Sequence, residues 1–350
     1  MAQAAVRNVR FKGLASCVPR TVVSNLDVSP ERRPERERLV RNIGINLRHV
    51  CLKEQHFSDL AHRAATDLLA ALGWDKSDVE ALIVVTQSPD YPIPATAIIL
   101  QDRLGLPHSC LAFDINLGCS GYPYGLMVLG SLISAGRIRK GLVLVGDRSS
   151  NPESLDNGLV SLFGDAGTAT ALEYDESAPP MYFDTGSDGS GYRAIIIEAG
   201  GQRMPMQPHH LERLPGADGI SRKGTDVILD GPAILNFSIR EVPPAVNALI
   251  ASTPYPVDTI DYFVFHQANR MINETIRKKL KLPEAKVPYT LHDFGNTSSA
   301  SVPVTMTARL RDEILAGPTR LLMCGFGVGL SLASCIVDLD RPVMPEMIEL

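Results

Sequence analysis

The chain has 350 residues, 45% of them hydrophobic and 21% charged, with a formal net charge of −5 at pH 7. That composition belongs to a soluble globular protein long enough for two domain-sized units. An isoelectric point near 5.9 speaks against a nucleic-acid-binding role, the first ten residues lack the apolar core of a secretory signal, and no uncharged stretch is long enough for a membrane span. The six cysteines, at positions 17, 51, 110, 119, 324 and 335, show neither Cys-x-x-Cys nor a histidine spacing that indicates zinc. A reduced, cytoplasmic protein without a structural metal is the simplest expectation.

In chain order, alternating apolar positions predict an opening strand at 5–17. Residues 31–41 are dense in mixed charge and read as a solvated helix face or loop. Leu60, Ala64, Leu68, Leu69 and Leu72 repeat at helical spacing, predicting a helix over 56–72 that stops at Gly73. The continuous apolar run 81–85 predicts a strand buried on both faces. A helix over 95–104 stopped by Gly105 comes next, and a strand at 111–115 leads towards Cys119.

Residues 114–121 read Asp-Ile-Asn-Leu-Gly-Cys-Ser-Gly, and 122–135 contain no charge before Gly136 closes the run. Such a run predicts a helix apolar on every side, buried in the middle of a large domain. Cys119 falls just before it, where free N–H groups and the helix dipole favour a negative group. A thiol so placed loses its proton near neutral pH and becomes a nucleophile. Alone, a cysteine beside an apolar helix is an ordinary buried side chain.

A buried strand at 141–146 follows, then apolar segments at 169–172 and 194–198. Residues 199–226, rich in Gly, Pro, Arg and His, have no period and read as a long surface excursion. His209-His210 lies there without a third metal ligand. The second half then repeats the first in outline: an amphipathic helix at 234–249, a strand at 260–265 answering 79–84, a helix at 300–315, a strand at 320–324 answering 141–145, and 331–337 answering 167–172. Helices alternating with fully apolar strands predict an α/β architecture with buried sheets. Two similar halves packed together would bring Cys119 close to loops of the other half.

Those loops are polar. His266-Gln267-Ala268-Asn269 begins at the end of a predicted buried strand, where an α/β fold presents functional groups. Residues 292–301 place Asn296 in a polar turn before a helix, and 325–331 form a glycine-rich turn between two strands. Each has an ordinary explanation singly: a satisfied histidine, a capping asparagine, a tight turn.

Together and in this order, Asp-Ile-Asn-x-x-Cys-Ser-Gly (114–121), His-Gln-Ala-Asn (266–269), Gly-Asn-Thr-Ser-x-Ala-Ser (295–301) and Gly-Phe-Gly-x-Gly (325–329), with Phe163-Gly164-Asp165-x-Gly167, resemble the thiolase superfamily, specifically the β-ketoacyl-acyl-carrier-protein synthase III group. The resemblance spans the whole chain. It implies a thiolase-like layered αβαβα fold in two pseudo-duplicated halves: residues 1–175 with the nucleophile, and residues 176–350 with the histidine and asparagine. It implies Cys119, His266 and Asn296 as the triad of a decarboxylative Claisen condensation. The thiolate would take an acyl group from a thioester, and neutral His266 and Asn296 would stabilise the enolate left when a malonyl-type thioester loses CO₂. The backbone N–H groups of Cys119 and Val328 would form the oxyanion hole. No metal or redox cofactor is implied; the substrates ride on the phosphopantetheine of acyl carrier protein or coenzyme A, past Arg41, Gly231 and Asn269. A homodimer is implied as well.

The departures from the group's pattern matter too. The aromatic residue that would stack on a coenzyme A adenine is Glu37, and the opposing Arg is Asn157. Both contacts are therefore absent, which favours an acyl-carrier-protein donor. The acyl-pocket Phe lent by the dimer partner is matched by Ile93, and Val328 replaces a glycine. Arg270, Arg277, Lys278, Lys279 and Lys281 form a basic face suited to docking an acidic carrier protein, although the group's docking Arg corresponds to Met271. The competing readings are acyl transfer from Cys119 to a hydroxyl or amine without condensation, and a non-catalytic subunit of a heteromeric synthase. Asn296 argues against the first and the intact triad against the second.

Overall fold

The computed structural model describes residues 2–151, 157–216 and 219–350, with the backbone alone for 157 and 158. Its organising feature is a pair of sheets enclosing a layer of helix. The first sheet has the order β11-β2-β6-β5-β3-β4, where β2 is Val9–Val18, β3 Ala81–Val85, β4 Leu111–Ile115, β5 Lys140–Asp147, β6 Ala166–Tyr174 and β11 Ile348–Glu349. The second has the order β1-β7-β10-β9-β8, where β1 is Ala2–Val6, β7 Met181–Ser187, β8 Tyr262–Phe265, β9 Pro318–Gly327 and β10 Ser331–Asp340.

The duplication read from the sequence is a duplication of strand order and direction. In the first sheet β3 runs parallel to β5, and β5 antiparallel to β6. In the second β8 runs parallel to β9, and β9 antiparallel to β10. The termini exchange sides: β1 pairs with β7 in the second sheet and β11 with β2 in the first.

Period-2 alternation on strands buried on both faces sorts most of the core into three large clusters, beside a small fourth one of Val18, Ala166, Ala300 and Val304. Ile83, Val85, Val143 and Val145 from the first sheet, and Val264, Leu321, Met323, Cys335 and Val337 from the second, face each other across the middle. Between them lie α4 (Gly121–Ser134), through Tyr122, Leu126, Leu129 and Ile133, and α7 (Ser301–Arg309), through Val302 and Met306. Each such fully buried side chain contributes about 1.5–3 kcal/mol. On the outer face of the first sheet, Leu82, Val84, Leu142 and Leu144 pack against α2 (Phe57–Leu72) and α3 (Thr96–Leu104). On the outer face of the second, Phe263, Phe265, Leu322 and Ile336 pack against α5 (Gly231–Ala251) and α6 (Arg270–Lys279). The result is the expected αβαβα stack. α4 approaches the first sheet through glycines: a Cβ on Gly121 would lie 2.5 Å from a Val85 methyl, and one on Gly125 2.7 Å from a Val143 methyl.

Several predicted elements need correction. The strand expected at 5–17 is two strands, parted at Asn8, whose φ of +59° turns the chain from one sheet to the other. The run 122–135 is not buried all round, since Ser131 is exposed and Met127, Val128 and Leu132 are half-buried. The helix expected at 300–315 breaks at Leu310 into α7 and α8 (Arg311–Ala316), which lets both Met306 and Ile314 reach the central core. Of the segment 194–198 only Ile195–Ile196 is extended, and β7 had no counterpart among the predicted strands. The charged stretch 31–41 does form a solvated helix face, as most of α1 (Arg33–Ile43) with Arg33, Glu35, Arg38 and Arg41 exposed, but Arg36 departs from it and is buried against the Ser161 hydroxyl.

Candidate active site

A cavity of about 680 Å³ opens where the two halves meet, and Cys119, His266, Asn296 and Val328 all line it. Each comes from a loop at the end of a core element. Cys119 sits between β4 and α4 and is 7% exposed. The second half's glycine turn lies against it: a Cβ on Gly325 would fall 2.5 Å from the Cys119 carbonyl oxygen, and one on Gly327 2.8 Å from the Cys119 sulfur. The close approach explains the two glycines. Cys119 and Val328 line the same stretch of the cavity wall.

The expectation of a thiol ionised near neutrality does not hold for the free protein. Burial pushes the Cys119 thiol up to about 11, with the nearby Asp147 carboxylate adding to the rise. The Val328 and Cys119 N–H groups and the Ser298 side chain pull the other way but are outweighed. Helix position alone does not decide a thiol's state when the sulfur is withdrawn from water.

His266 leaves β8 with its N–H donating to the Cys324 carbonyl at 2.7 Å, and its ring stands edge-on to Phe326 at 5.5 Å. Nδ1 shares a 2.8 Å hydrogen bond with the Ser301 hydroxyl. Burial lowers its pKa from 6.5 to about 4, only partly offset by the Ser298 backbone, so the imidazole is neutral at physiological pH. Asn296 is 5% exposed, and its Oδ1 accepts from the Ser298 N–H at 2.9 Å. That bond fixes the amide orientation and leaves the NH₂ group as the free donor. The site thus offers a sulfur nucleophile beside two neutral donors.

Gly231 and Asn269 also line the cavity, the latter with its Oδ1 capping α6 through the Ile272 N–H at 2.9 Å. Arg41, in the exposed last turn of α1, and Ile93, 85% exposed, are not among the lining residues. Glu37 is ion-paired with Arg33 at 3.1 Å, and the Asn157 side chain lies outside the described residues. On α6, Arg270, Lys278 and Lys279 are exposed, but Arg277 is not a free docking charge as expected: its Nε and Nη2 both bond Glu274, at 3.0 and 2.8 Å. Sequence reasoning gave Ser298 and Ser301 no role beyond their place in the 295–301 motif, and missed Asp147. Asp147 ends a buried strand just as His266 follows one, and that position was the available signal.

Comparison with known proteins places the chain in a family. Residues 113–189 match the family described as 3-oxoacyl-[acyl-carrier-protein] synthase III, and residues 250–339 match its C-terminal part. A β-ketoacyl-[acyl-carrier-protein] synthase III of Streptococcus agalactiae is 30% identical over 340 residues, covering 94% of this chain and 99% of the relative. The chain belongs to the β-ketoacyl-[acyl-carrier-protein] synthase III family. Among solved structures, a 3-oxoacyl-(acyl-carrier protein) synthase from Burkholderia xenovorans is 38% identical with a TM-score of 0.92, covering 100% of this chain and 99% of that one. The synthase III of Pseudomonas aeruginosa is 29% identical with a TM-score of 0.79, covering 97% and 100%. The family is one of condensing enzymes with a thiolase-type fold, and this synthase III chain has that fold throughout. Among its described residues no helix is long and apolar enough to cross a membrane, and no group of three or more His, Cys, Asp or Glu could hold a metal ion.

Proposed function

We propose that this synthase III chain builds a β-ketoacyl thioester in two half-reactions at Cys119. In the first, the sulfur attacks an acyl thioester, the carbonyl oxygen is held by the Cys119 and Val328 N–H groups, and the pantetheine thiol leaves. In the second, a malonyl-type thioester loses CO₂; its enolate oxygen is held by His266 and the Asn296 NH₂, and the carbanion displaces Cys119 from the acyl carbon. Neutral donors suit this step because they stabilise the enolate without protonating its carbon. No metal or redox group is called on.

The observation that carries the reading is the Asn296 amide, its oxygen tied to Ser298 and its NH₂ free beside a histidine kept neutral. Acyl transfer to an alcohol or amine has no enolate and no use for that pair. The test separates the half-reactions: acylation of Cys119 by mass spectrometry, and CO₂ release from a malonyl thioester, in His266→Ala and Asn296→Ala. Both variants are expected to acylate yet lose decarboxylation by on the order of a hundredfold. Undiminished decarboxylation, with acyl transfer to a small alcohol intact, would favour the transferase.

The donor and acceptor carrier is an acyl carrier protein, met by the exposed cations Arg270, Lys278 and Lys279. Glu37 offers no face for an adenine. Ile93, at 85% exposure, and Tyr91, at 60%, are large apolar side chains left uncovered by this chain. A second copy, as a homodimer, would cover them and receive Ile93 into its acyl pocket. All six cysteines are free thiols, in keeping with a reducing cytoplasm.

A further inference from the structure

Three neighbouring strands of the first sheet end at the cavity, and each leads into a polar residue of its wall. β3 lies between β4 and β5, with Val85 paired to Ile115 on one side and to Val145 on the other. Just past those pairs come Gln87, Asn116 and Asp147, all three lining the cavity with Cys119. The carboxyl ends of parallel strands are where α/β sheets receive their ligands. The pantetheine arm is expected from the other side, past Gly231 and Asn269 of the second half, which leaves this wall to the acyl group carried by the sulfur.

The loop that bears Gln87 is tied down at every residue. Asp147 Oδ1 accepts from Thr86 Oγ1 at 3.0 Å, the Gln87 N–H at 2.6 Å and Ser88 Oγ at 3.4 Å, and the Thr86 N–H donates to the Ile115 carbonyl at 3.2 Å. So fixed, the loop lays the Gln87 carboxamide across Gly118, the residue before the nucleophile. A Cβ on Gly118 would overlap Gln87 Oε1 and lie 3.4 Å from a Val328 methyl. The missing side chain at 118 therefore makes room for an amide beside Cys119. Yet among the described residues neither the Gln87 nor the Asn116 carboxamide has a hydrogen-bond partner. Both residues are exposed in the single chain, where water serves them. A second copy seating its Ile93 in the acyl pocket would displace that water and leave both amides to the substrate.

We propose that Gln87 and Asn116 form a polar subsite that selects an acyl group bearing a hydroxyl on one of its first few carbons. Each carboxamide offers a C=O that accepts and an NH₂ that donates, the two roles a hydroxyl also plays. A plain alkyl chain would leave both amides unpaired in the closed pocket, which discriminates more strongly than a gained or lost methylene. A carboxylate suits the wall less well. The buried Asp147 carboxylate shares it, and Arg148 Nη1 is engaged by the Lys53 carbonyl at 3.1 Å.

This subsite rests on Cys119 being the acylated nucleophile, and the experiment keeps the two apart. Acylation of Cys119 by butanoyl pantetheine is followed by intact-mass spectrometry. It is compared with acylation by butanoyl pantetheines hydroxylated at the second, third or fourth carbon, and by succinyl pantetheine. At least one hydroxylated donor is expected to react about tenfold faster than butanoyl, a factor that one hydrogen bond supplies. In Gln87→Met, which keeps the length of the side chain, and in Asn116→Leu, the ratio of those two rates should fall towards one. A merely structural role would lower both rates together and leave their ratio standing, so a ratio that either variant leaves unchanged overturns the subsite. Should one variant fold poorly, the other carries the test. Equal rates for butanoyl and every hydroxylated donor in the unmodified protein also overturn it, and faster reaction of succinyl than of any hydroxylated donor would replace the hydroxyl by an anion. No acylation of Cys119 by any of the donors would sink the nucleophile assignment and the subsite with it.

Discussion

Gly327→Ala tests how closely the two halves are fitted around the sulfur without removing any reacting group. The added methyl would lie 2.8 Å from both Cβ and Sγ of Cys119. Ordinary non-bonded contact begins near 3.5–4.0 Å, so the sulfur or the turn must give way by roughly 0.7–1.2 Å. A reacting atom displaced by about 1 Å costs on the order of a hundredfold in rate. The backbone adds its own penalty, since φ at Gly327 is +153° and an alanine there is strained by about 1–3 kcal/mol. Gly136→Ala isolates that second effect, because its φ is +84° and nothing lies within 4 Å of the new Cβ. Acylation of Cys119 by mass spectrometry and thermal denaturation are measured on both variants. Both should melt earlier, but only Gly327→Ala should acylate slowly. If Gly327→Ala acylates at the unmodified rate, the turn does not hold the sulfur in place and the close fit is incidental.

Cys119→Ala should abolish the acyl-enzyme and leave the fold intact; label found on Cys110 or Cys324 instead would displace the nucleophile. The His266 imidazole should make stability fall with acid. Its unfolded form takes a proton near pH 6.5 and the folded one refuses it until about 4, so stability present above 6.5 is lost as pH falls through that window, by roughly 3 kcal/mol at full extent. Denaturant titrations of the unmodified protein and His266→Gln across that range check it, the variant showing the shallower loss. An acyl carrier protein should acylate Cys119 with higher kcat/KM than the same acyl group on coenzyme A, and Glu37→Trp should narrow the gap; equal rates before the substitution, with no gain after it, would show that Glu37 does not select the donor.

What the sequence made legible was local and periodic. The helix over 56–72 carries its own signals: Asp59 Oδ2 accepts the His56 N–H at 3.0 Å at one end, and Gly73 closes the other at φ +64°. The strands at 81–85 and 141–146 are continuous apolar runs that fit only a sheet covered on both faces. β7, in contrast, reads Met-Tyr-Phe-Asp-Thr-Gly-Ser and carries Asp184 into the buried interior, so no hydropathy pattern exposes it. The site was legible through its motifs, which is why Cys119, His266 and Asn296 were found. Its electrostatics were not, because the lift of the Cys119 thiol comes from burial and from Asp147, 28 residues further along and brought near only by the fold. Arg277 fails as a docking charge for a similar reason: its partner Glu274 is one turn away on the same helix, a pairing that helical spacing permits but does not require.

The crossing of β1 into the far sheet has a consequence for the order in which a ribosome makes the molecule. Residues 2–6 emerge well before their register partners, Met181–Thr185, so they must wait for roughly 180 further residues to be joined. Through that interval the strand is an open edge of the kind that invites pairing with the wrong chain. Its sequence, Ala-Gln-Ala-Ala-Val, is poorly suited to mischief: one β-branched residue, no aromatic, and side chains that stay largely exposed even in the finished sheet. A more hydrophobic strand there, such as Ala4→Ile with Ala5→Val, would pair no worse with β7 in the finished protein but should raise the yield of aggregate during synthesis.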